Sequence, residues 1–385
     1  MRPQRGQTRP GREPDGKIVF ANQLRAVAAL CVVLSHLAGV YILMGPLVGW
    51  ITSSPVTHVG QPAILHLTRV PDFNFGAFGV AVFFLISGFV IPFSLRQHRA
   101  GAFLVARAFR IYPTLWAALL LEWLAVYAQS HLYGRPMAFH VRMYVWNGLL
   151  ADTIIGNNVD LVNWTLAIEV KFYILMALLR PWVLAGRIAP LLAWSVFAIL
   201  VAAAEQHGLI HLSTAFADEP MYIGFMLIGT VFHFHMTGRL GTVASLAGGA
   251  LLVLLFLLCW RVGPIQNQIP SIPASYIDAL ALFLVAYVTR RVFRPIRWLD
   301  ALADISYPLY LTHSIIGYSV MTFVIVRCRL PYDAALAIAL AVVVPLAWLL
   351  HCLIEGPSLH TGKRLARRMA PRTASTPAPV LMAPD

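Results

Sequence analysis

Acidic residues are scarce in this chain, whose 385 residues include 16 Asp and Glu against 29 Lys and Arg. Charged residues of both signs make up 12% of the sequence, about half of the share that soluble globular domains carry. Hydrophobic residues make up 59%, and the mean hydropathy is +0.73. This composition excludes a soluble globular protein and indicates a polytopic membrane protein.

Cysteines and metal-ligand motifs are sparse as well. The four cysteines lie in or beside apolar segments without CxxC spacing: Cys31, Cys259, Cys328 and Cys352. No HExxH motif occurs, and the HFH sequence places His233 and His235 on different faces of a helix. We therefore expect packing roles for the cysteines and no metal cofactor.

Long apolar segments are abundant. A segment of about 20 apolar residues crosses the hydrocarbon core of a bilayer as a helix. The sequence predicts an all-α, polytopic transmembrane bundle of about ten spans, near residues 18–44, 75–95, 103–129, 164–180, 188–206, 220–237, 241–260, 275–290, 303–326 and 333–354. Small residues in the second of these, GVAVFFLISGF, are typical of close helix packing, as at Gly88.

The positive charges are distributed unevenly between the two sides of these spans. With the N-terminus in the cytoplasm, 21 Lys and Arg lie on the cytoplasmic side and 6 outside, and Arg25 and Lys171 remain within spans. By the positive-inside rule we expect both termini in the cytoplasm. Topology accounts for the net charge of +13, so membrane lipid is an expected partner and nucleic acid is not.

Composition divides the chain into three parts. Residues 1–17 are basic and rich in Pro and Gly, and we expect them to be disordered. We expect residues 18–357 to form one membrane domain without a fused soluble domain. Residues 358–385 form a basic, Pro-rich tail that is also expected to be disordered.

Arg25 and His36 lie eleven residues apart within the first span. Eleven helical steps bring both to nearly one face, about 16 Å apart along the axis. An ionisable group at this depth costs a few kcal/mol and usually faces the bundle interior or water. The residues alone allow two interpretations. In the first, Arg25 and His36 form a functional pair; in the second, Arg25 snorkels to the cytoplasmic surface and His36 is a neutral, hydrogen-bonded interior residue.

Arg107 and Arg110 lie one helical turn apart at a cytoplasmic span entry. Two forked guanidiniums on one face bind phosphate or carboxylate, although ordinary positive-inside anchoring gives the same pattern.

Glu169 lies inside the fourth span, where a carboxylate should be paired, protonated or facing water. Lys171, two residues on, points elsewhere and either serves another helix or snorkels. Tyr173, four residues on, either joins a polar network or packs. Trp164 suits an interfacial anchor.

Five sequence pieces occur in a fixed order from about residue 18 to 357: LRAVAALCVVLSH, GVAVFFLISGF, RAFRIYP, WTLAIEVKFY and ISYPLYLTH. In these pieces and their spacing the chain resembles acyltransferase family 3, the integral-membrane O-acyltransferases. The resemblance implies about ten spans in a membrane, here a bacterial inner membrane. It also implies transfer of an acyl group, often acetyl, from cytoplasmic acyl-coenzyme A to a hydroxyl of a sugar, glycan, lipid or macrolide, without a metal.

The resemblance also implies residue roles. It identifies Arg25 and His36 as an R-x10-H pair, Arg107 and Arg110 as donor-side arginines, and Glu169 as the buried carboxylate. For substrate contact we expect Trp164, Tyr173, Tyr310 and His313. Asn22, Gln23 and Leu115 depart from the usual pattern, and we expect them to bear on acyl or acceptor preference.

Chemistry and resemblance agree on His36 and the two arginines. A hydroxyl needs a base at neutral pH, and histidine is the side chain best suited to accept its proton. The anionic end of coenzyme A needs cations at the cytoplasmic face, as Arg107 and Arg110 provide. Glu169 either orients the imidazolium or binds acceptor hydroxyls.

Two competing functions remain from sequence. The first is a ten-span transporter in which His36, Glu169 and Arg25 form a proton relay, although no inverted repeat is evident. The second is a non-catalytic subunit of a glycan export complex.

Overall fold

Each apolar segment of the sequence is helical in the computed structural model, which describes residues 18–60, 62, 64, 70, 72–151, 158–210, 214–264 and 272–369. No β-strand occurs in these ranges, so the all-α prediction is confirmed. Helices dominate because backbone groups in lipid must find hydrogen-bond partners within their own segment.

The first span changes from α-helix to π-helix and back to α-helix along its length. Helix α1, Val19–Leu34, runs directly into a π-helix, Ser35–Val40, and then into the short α2, Tyr41–Leu43. Single π turns inside α-helices are frequent at functional sites. His36 lies in this π-helix, so the local geometry of its backbone differs from the regular helix that the sequence predicts.

The remaining helices follow in chain order: α3 Gly45–Ile51, α4 Phe75–Gln97, α5 Ala100–Tyr133, α6 Val141–Gly148, α7 Asn163–Leu178, α8 Arg180–Leu184, α9 Ala189–Gln206, α10 Thr214–Met236, α11 Thr242–Val262, α12 Ile272–Val288, α13 Arg297–Asp304, α14 Ser306–Thr312, α15 Ile315–Val326, α16 Tyr332–Leu350, a second π-helix His351–Glu355, and α17 Gly356–Arg368. Asn74 caps α4 by accepting the Ala77 N–H at 3.0 Å.

Several of these helices are long and apolar enough to cross a membrane, so the protein is a multi-pass integral membrane protein. Within the described residues, six continuous helical stretches are long and apolar enough individually, and the pair α14 and α15, bent by 54°, brings the number to seven. Helices α7 and α12 are shorter, at 16 and 17 residues. The predicted count of about ten therefore remains a prediction.

Helix α4 lies at the centre of the bundle and packs against α1, α10 and α12. Two glycines allow α4 and α10 to cross closely. A Cβ on Gly88 would overlap the Met226 carbonyl, and one on Gly229 would overlap the Leu85 carbonyl. The close packing predicted at Gly88 is therefore found.

The C-terminal segment differs from the prediction. Disorder was expected from residue 358, but α17 continues to Arg368, so that expectation is wrong for 358–368. The segment is helical because its small residues, including Gly362, pack on α5, where a Cβ would meet Phe109 at 2.6 Å. Residues 1–17 and 370–385 lie outside the described residues.

Candidate active site

Helices α1, α4, α5, α7 and α14 surround a cavity of about 820 Å³, a volume that includes its open mouth. Apolar side chains of α4 form one wall. Six of the nine predicted site residues line this cavity: Arg25, Arg107, Arg110, Glu169, Tyr173 and Tyr310. The structure thus joins residues of all five sequence pieces, which are far apart along the chain.

Arg107 is held by three neighbours, and its buried Nε has no hydrogen-bond partner among the described residues. Its Nη2 donates to Ser94 Oγ at 3.0 Å, and its guanidinium lies 5.6 Å from the Phe103 ring and 5.7 Å from the Tyr173 ring. A buried, unsatisfied donor such as the Arg107 Nε–H is costly, so this N–H is suited to an anionic ligand.

Arg110 pairs with an acid that the sequence analysis overlooked. Its Nη1 lies 3.3 Å from Glu355 Oε1, and His351 Nδ1 lies 2.8 Å from Glu355 Oε2. Glu355 is 1% exposed, in the second π-helix. The sequence did contain a signal for Glu355, because an acidic residue at the end of the last apolar segment is unusual in a chain with so few acidic residues.

Glu169 forms a hydroxyl network inside the cavity. Its Oε1 accepts from Tyr173 at 2.6 Å and from Ser87 at 3.0 Å. Of the two alternatives for Tyr173, the polar network is therefore the one found. Lys171 points away and donates to Glu219 of α10 at 2.5 and 2.6 Å, so it serves another helix.

The cavity has an excess of positive charge. The three guanidiniums of Arg25, Arg107 and Arg110 outnumber the two neighbouring carboxylates, those of Glu169 and Glu355. Beyond the cavity, between α4 and α5, partial burial and the neighbouring charges of Arg107 and Arg367 lower the pKa of His98, so this imidazole adds no positive charge at neutral pH. An anion is the ligand that this arrangement attracts.

His36 and His313 meet at one end of this arrangement. His36 Nδ1 lies 3.1 Å from His313 Nε2, and the ring centroids are 4.8 Å apart. Neither ring lines the cavity directly. The connection is Tyr310, which lines the cavity, lies 5.9 Å from the His313 ring, and shares a 2.7 Å hydrogen bond with Thr165.

Trp164 lies apart from these residues. Its ring packs 5.5 Å from the Tyr222 ring and does not line the cavity. No group of three or more His, Cys, Asp or Glu in the described part of the chain is placed to hold a metal ion.

Comparison with known proteins gives two matches of different kinds. A family model described as an acyltransferase domain matches residues 18–352. Nodulation protein 10 of Rhizobium leguminosarum bv. viciae is 26% identical over 298 residues, which cover 69% of this chain and 77% of that protein. No solved structure matches the chain significantly. All nine predicted site residues lie within the family match, and Glu355 lies three residues beyond it.

Proposed function

The chain belongs to this acyltransferase family and is a membrane O-acyltransferase, and from that premise we propose that its donor is cytoplasmic acyl-coenzyme A, with acetyl as the favoured acyl group. We propose a hydroxyl of a sugar, surface glycan or related molecule as the acceptor. The observation that carries the proposal is the cationic cavity with the unsatisfied Arg107 Nε. Coenzyme A combines phosphates for such a site with a thin arm that fits an apolar channel.

In this proposal the bound donor extends from Arg107 and Arg110 to the contacting histidines His36 and His313. Arg107 and Arg110 hold the phosphates, and Arg25 adds a third positive charge within the cavity. Arg25 and His36 are about 16 Å apart along the helix axis. The arm of the donor therefore runs past Tyr310 and brings the thioester carbonyl to His36.

His36 acts as the general base in the transfer step. It takes the proton of the acceptor hydroxyl as that oxygen attacks the thioester carbonyl carbon. The tetrahedral intermediate collapses, the carbon–sulfur bond breaks, and the departing thiolate takes the proton back from His36. The products are an ester and free coenzyme A, and His36 returns to its starting state.

Glu169 supports the charged groups in this proposal. It lies within electrostatic range of Arg25 and Arg110 and accepts hydrogen bonds from Tyr173 and Ser87. It therefore fixes the polar wall along which the donor passes. Tyr173 and Tyr310 line the cavity and remain proposed substrate contacts, whereas Trp164 lies outside it.

We further propose about ten spans, both termini in the cytoplasm and residence in a bacterial inner membrane. The support is the 21-to-6 division of Lys and Arg between the two sides. In this orientation Arg107 and Arg110 lie near the cytoplasmic end of α5, where coenzyme A is available.

Release of free thiol tests the donor. Purified protein in lipid nanodiscs is incubated with acetyl-coenzyme A and a panel of sugar and glycan acceptors, and thiol and ester are both measured. We expect thiol and ester in equal amounts with at least one acceptor, and little thiol without acceptor. A transporter or a non-catalytic subunit gives neither product.

A further inference from the structure

A histidine base works only if its unprotonated nitrogen faces the substrate. A neutral imidazole carries one N–H and one lone pair, and the hydrogen bond at one nitrogen decides which nitrogen keeps the lone pair. In Ser-His-Asp enzymes a carboxylate fixes this choice. Glu169 does not contact His36 here, because its hydrogen bonds go to Ser87 and Tyr173. The ring that contacts His36 is His313.

The protonation of His313 follows from its own partner. Its Nδ1 lies 3.0 Å from the carbonyl oxygen of Leu309, four residues earlier. A carbonyl oxygen only accepts, so Nδ1 of His313 carries a proton. The same oxygen also accepts the backbone N–H of His313 at 3.1 Å, which uses its second lone pair.

The burial of His313 settles its other nitrogen. The side chain is 0% exposed, and no carboxylate pairs with it in the described part of the chain. A buried imidazolium without a counter-charge is unfavourable, so the ring is neutral and Nε2 carries a lone pair. His36 Nδ1, 3.1 Å away, must then donate, which leaves the lone pair of His36 on Nε2.

We propose that His313 is a positioning residue that holds His36 in the tautomer whose Nε2 accepts the proton of the acceptor. This inference rests on the proposed function. No proton moves to His313 in the transfer: the proton goes from the hydroxyl to His36 Nε2 and then to the thiolate. His36 Nδ1–H remains bonded to His313 Nε2 throughout.

Two irregular backbone elements create this contact. His36 lies in the first π-helix, and His313 lies at the break between α14 and α15, which are bent by 54°. The break brings the His313 ring toward α1, and residues 277 positions apart in sequence become neighbours.

The tautomer is measured directly by ¹⁵N NMR on the full-length protein in nanodiscs, with ¹⁵N-labelled histidine. The His36 signals are assigned by their loss in His36→Gln. We expect wild-type His36 to be protonated at Nδ1 and unprotonated at Nε2, without donor or acceptor present. In His313→Leu this preference should disappear, and in His313→Gln it should persist, because the amide oxygen accepts the same proton.

Kinetics give a second readout. We expect His313→Leu to lower kcat about 100-fold with donor KM changed less than threefold, and His313→Gln to keep kcat within tenfold of wild type. His233→Leu is the control, since His233 is also buried, packs on Phe93 and lies outside the site. Its kcat should match wild type.

Three results overturn the inference: a wild-type His36 protonated at Nε2, a His313→Leu variant with wild-type kcat, or a His313→Gln variant as impaired as His313→Leu. The first needs no variant of His313, so a folding defect does not obscure it. Wild-type thiol release tests the proposed function separately. Its absence defeats the donor proposal while the NMR result still decides the tautomer.

Discussion

Arg107 lines the cavity at the end where we propose that the donor phosphates bind, and a charge-assisted contact to phosphate is worth about 1.5–3 kcal/mol. We expect Arg107→Ala to raise donor KM roughly 10- to 100-fold with kcat largely retained at saturating acetyl-coenzyme A. Arg291→Ala, at an exposed position away from the cavity, is the control. An unchanged donor KM in Arg107→Ala would remove this residue from the donor site.

His36 should show the opposite kinetic pattern. Loss of a general base lowers kcat about 10²- to 10⁴-fold with little change in donor KM, so we expect this of His36→Ala. Saturating donor should not restore the rate. If it does, His36 binds the donor and another group is the base.

Glu169→Gln separates charge from hydrogen bonding. The amide oxygen still accepts from Tyr173 and Ser87, but the negative charge near Arg25 is gone, so we expect activity to fall tenfold or more in a protein that inserts normally. Tyr173→Phe removes one hydrogen bond and keeps the charge, so its loss should be smaller. Full activity in Glu169→Gln contradicts an electrostatic role.

The sequence indicates which charged residues lie within apolar segments, but it does not indicate which residues they contact. Arg25 and Glu169 are recognisable because an ionisable residue in an apolar segment needs a reason to be there. Glu355 was overlooked because its contact with Arg110 joins residues far apart along the chain, and the contact between His36 and His313 was not predicted for the same reason. Side-chain contacts between distant segments leave no spacing pattern within either segment.

At the scale of helices, the crossing of α4 and α10 depends on Gly88 and Gly229. A side chain at Gly88 meets the Met226 carbonyl, which is backbone and yields little. We expect Gly88→Val to destabilise the bundle by about 1–3 kcal/mol or more, the usual range for overpacking. The measurements are the thermal unfolding temperature and the monodisperse fraction in detergent.

Gly249→Ala of α11 is the control for this crossing, since no atom lies within 4 Å of the added Cβ. It should unfold at or above the wild-type temperature, because alanine favours helix more than glycine does. Equal stability of Gly88→Val and Gly249→Ala would mean that α4 and α10 do not cross as described.

Apolar segments gave the positions of the helices but not their irregularities. The predicted segment near 303–326 is in fact α14 and α15 with a break at His313 and Ser314, where neither proline nor glycine marks a boundary. The 3.6-residue periodicity of apolar residues likewise does not predict the two π-helices. These irregular elements carry His36, His313 and Glu355.

The orientation of the whole molecule is open to direct test. In a cysteine-free background, single cysteines near 99, 187, 240 and 293 should resist an impermeant maleimide in intact cells, and those near 60, 212 and 266 should react. Permeabilised cells provide the control for reactivity. Labelling near 99 or 293 from outside would place Arg107 and Arg110 away from cytoplasmic coenzyme A.

The meeting of early and late segments has a consequence for synthesis of the protein. Arg110 leaves the ribosome 245 residues before Glu355, and His36 precedes His313 by 277. At about 5–20 residues per second, this is a delay of roughly 10–50 s during which the guanidinium of Arg110 lacks its carboxylate partner. His36 meanwhile has no second ring to fix its proton. If His313 fixes the His36 tautomer as proposed, the nascent chain cannot turn over acyl donor, and activity begins only when nearly the entire polypeptide has been made.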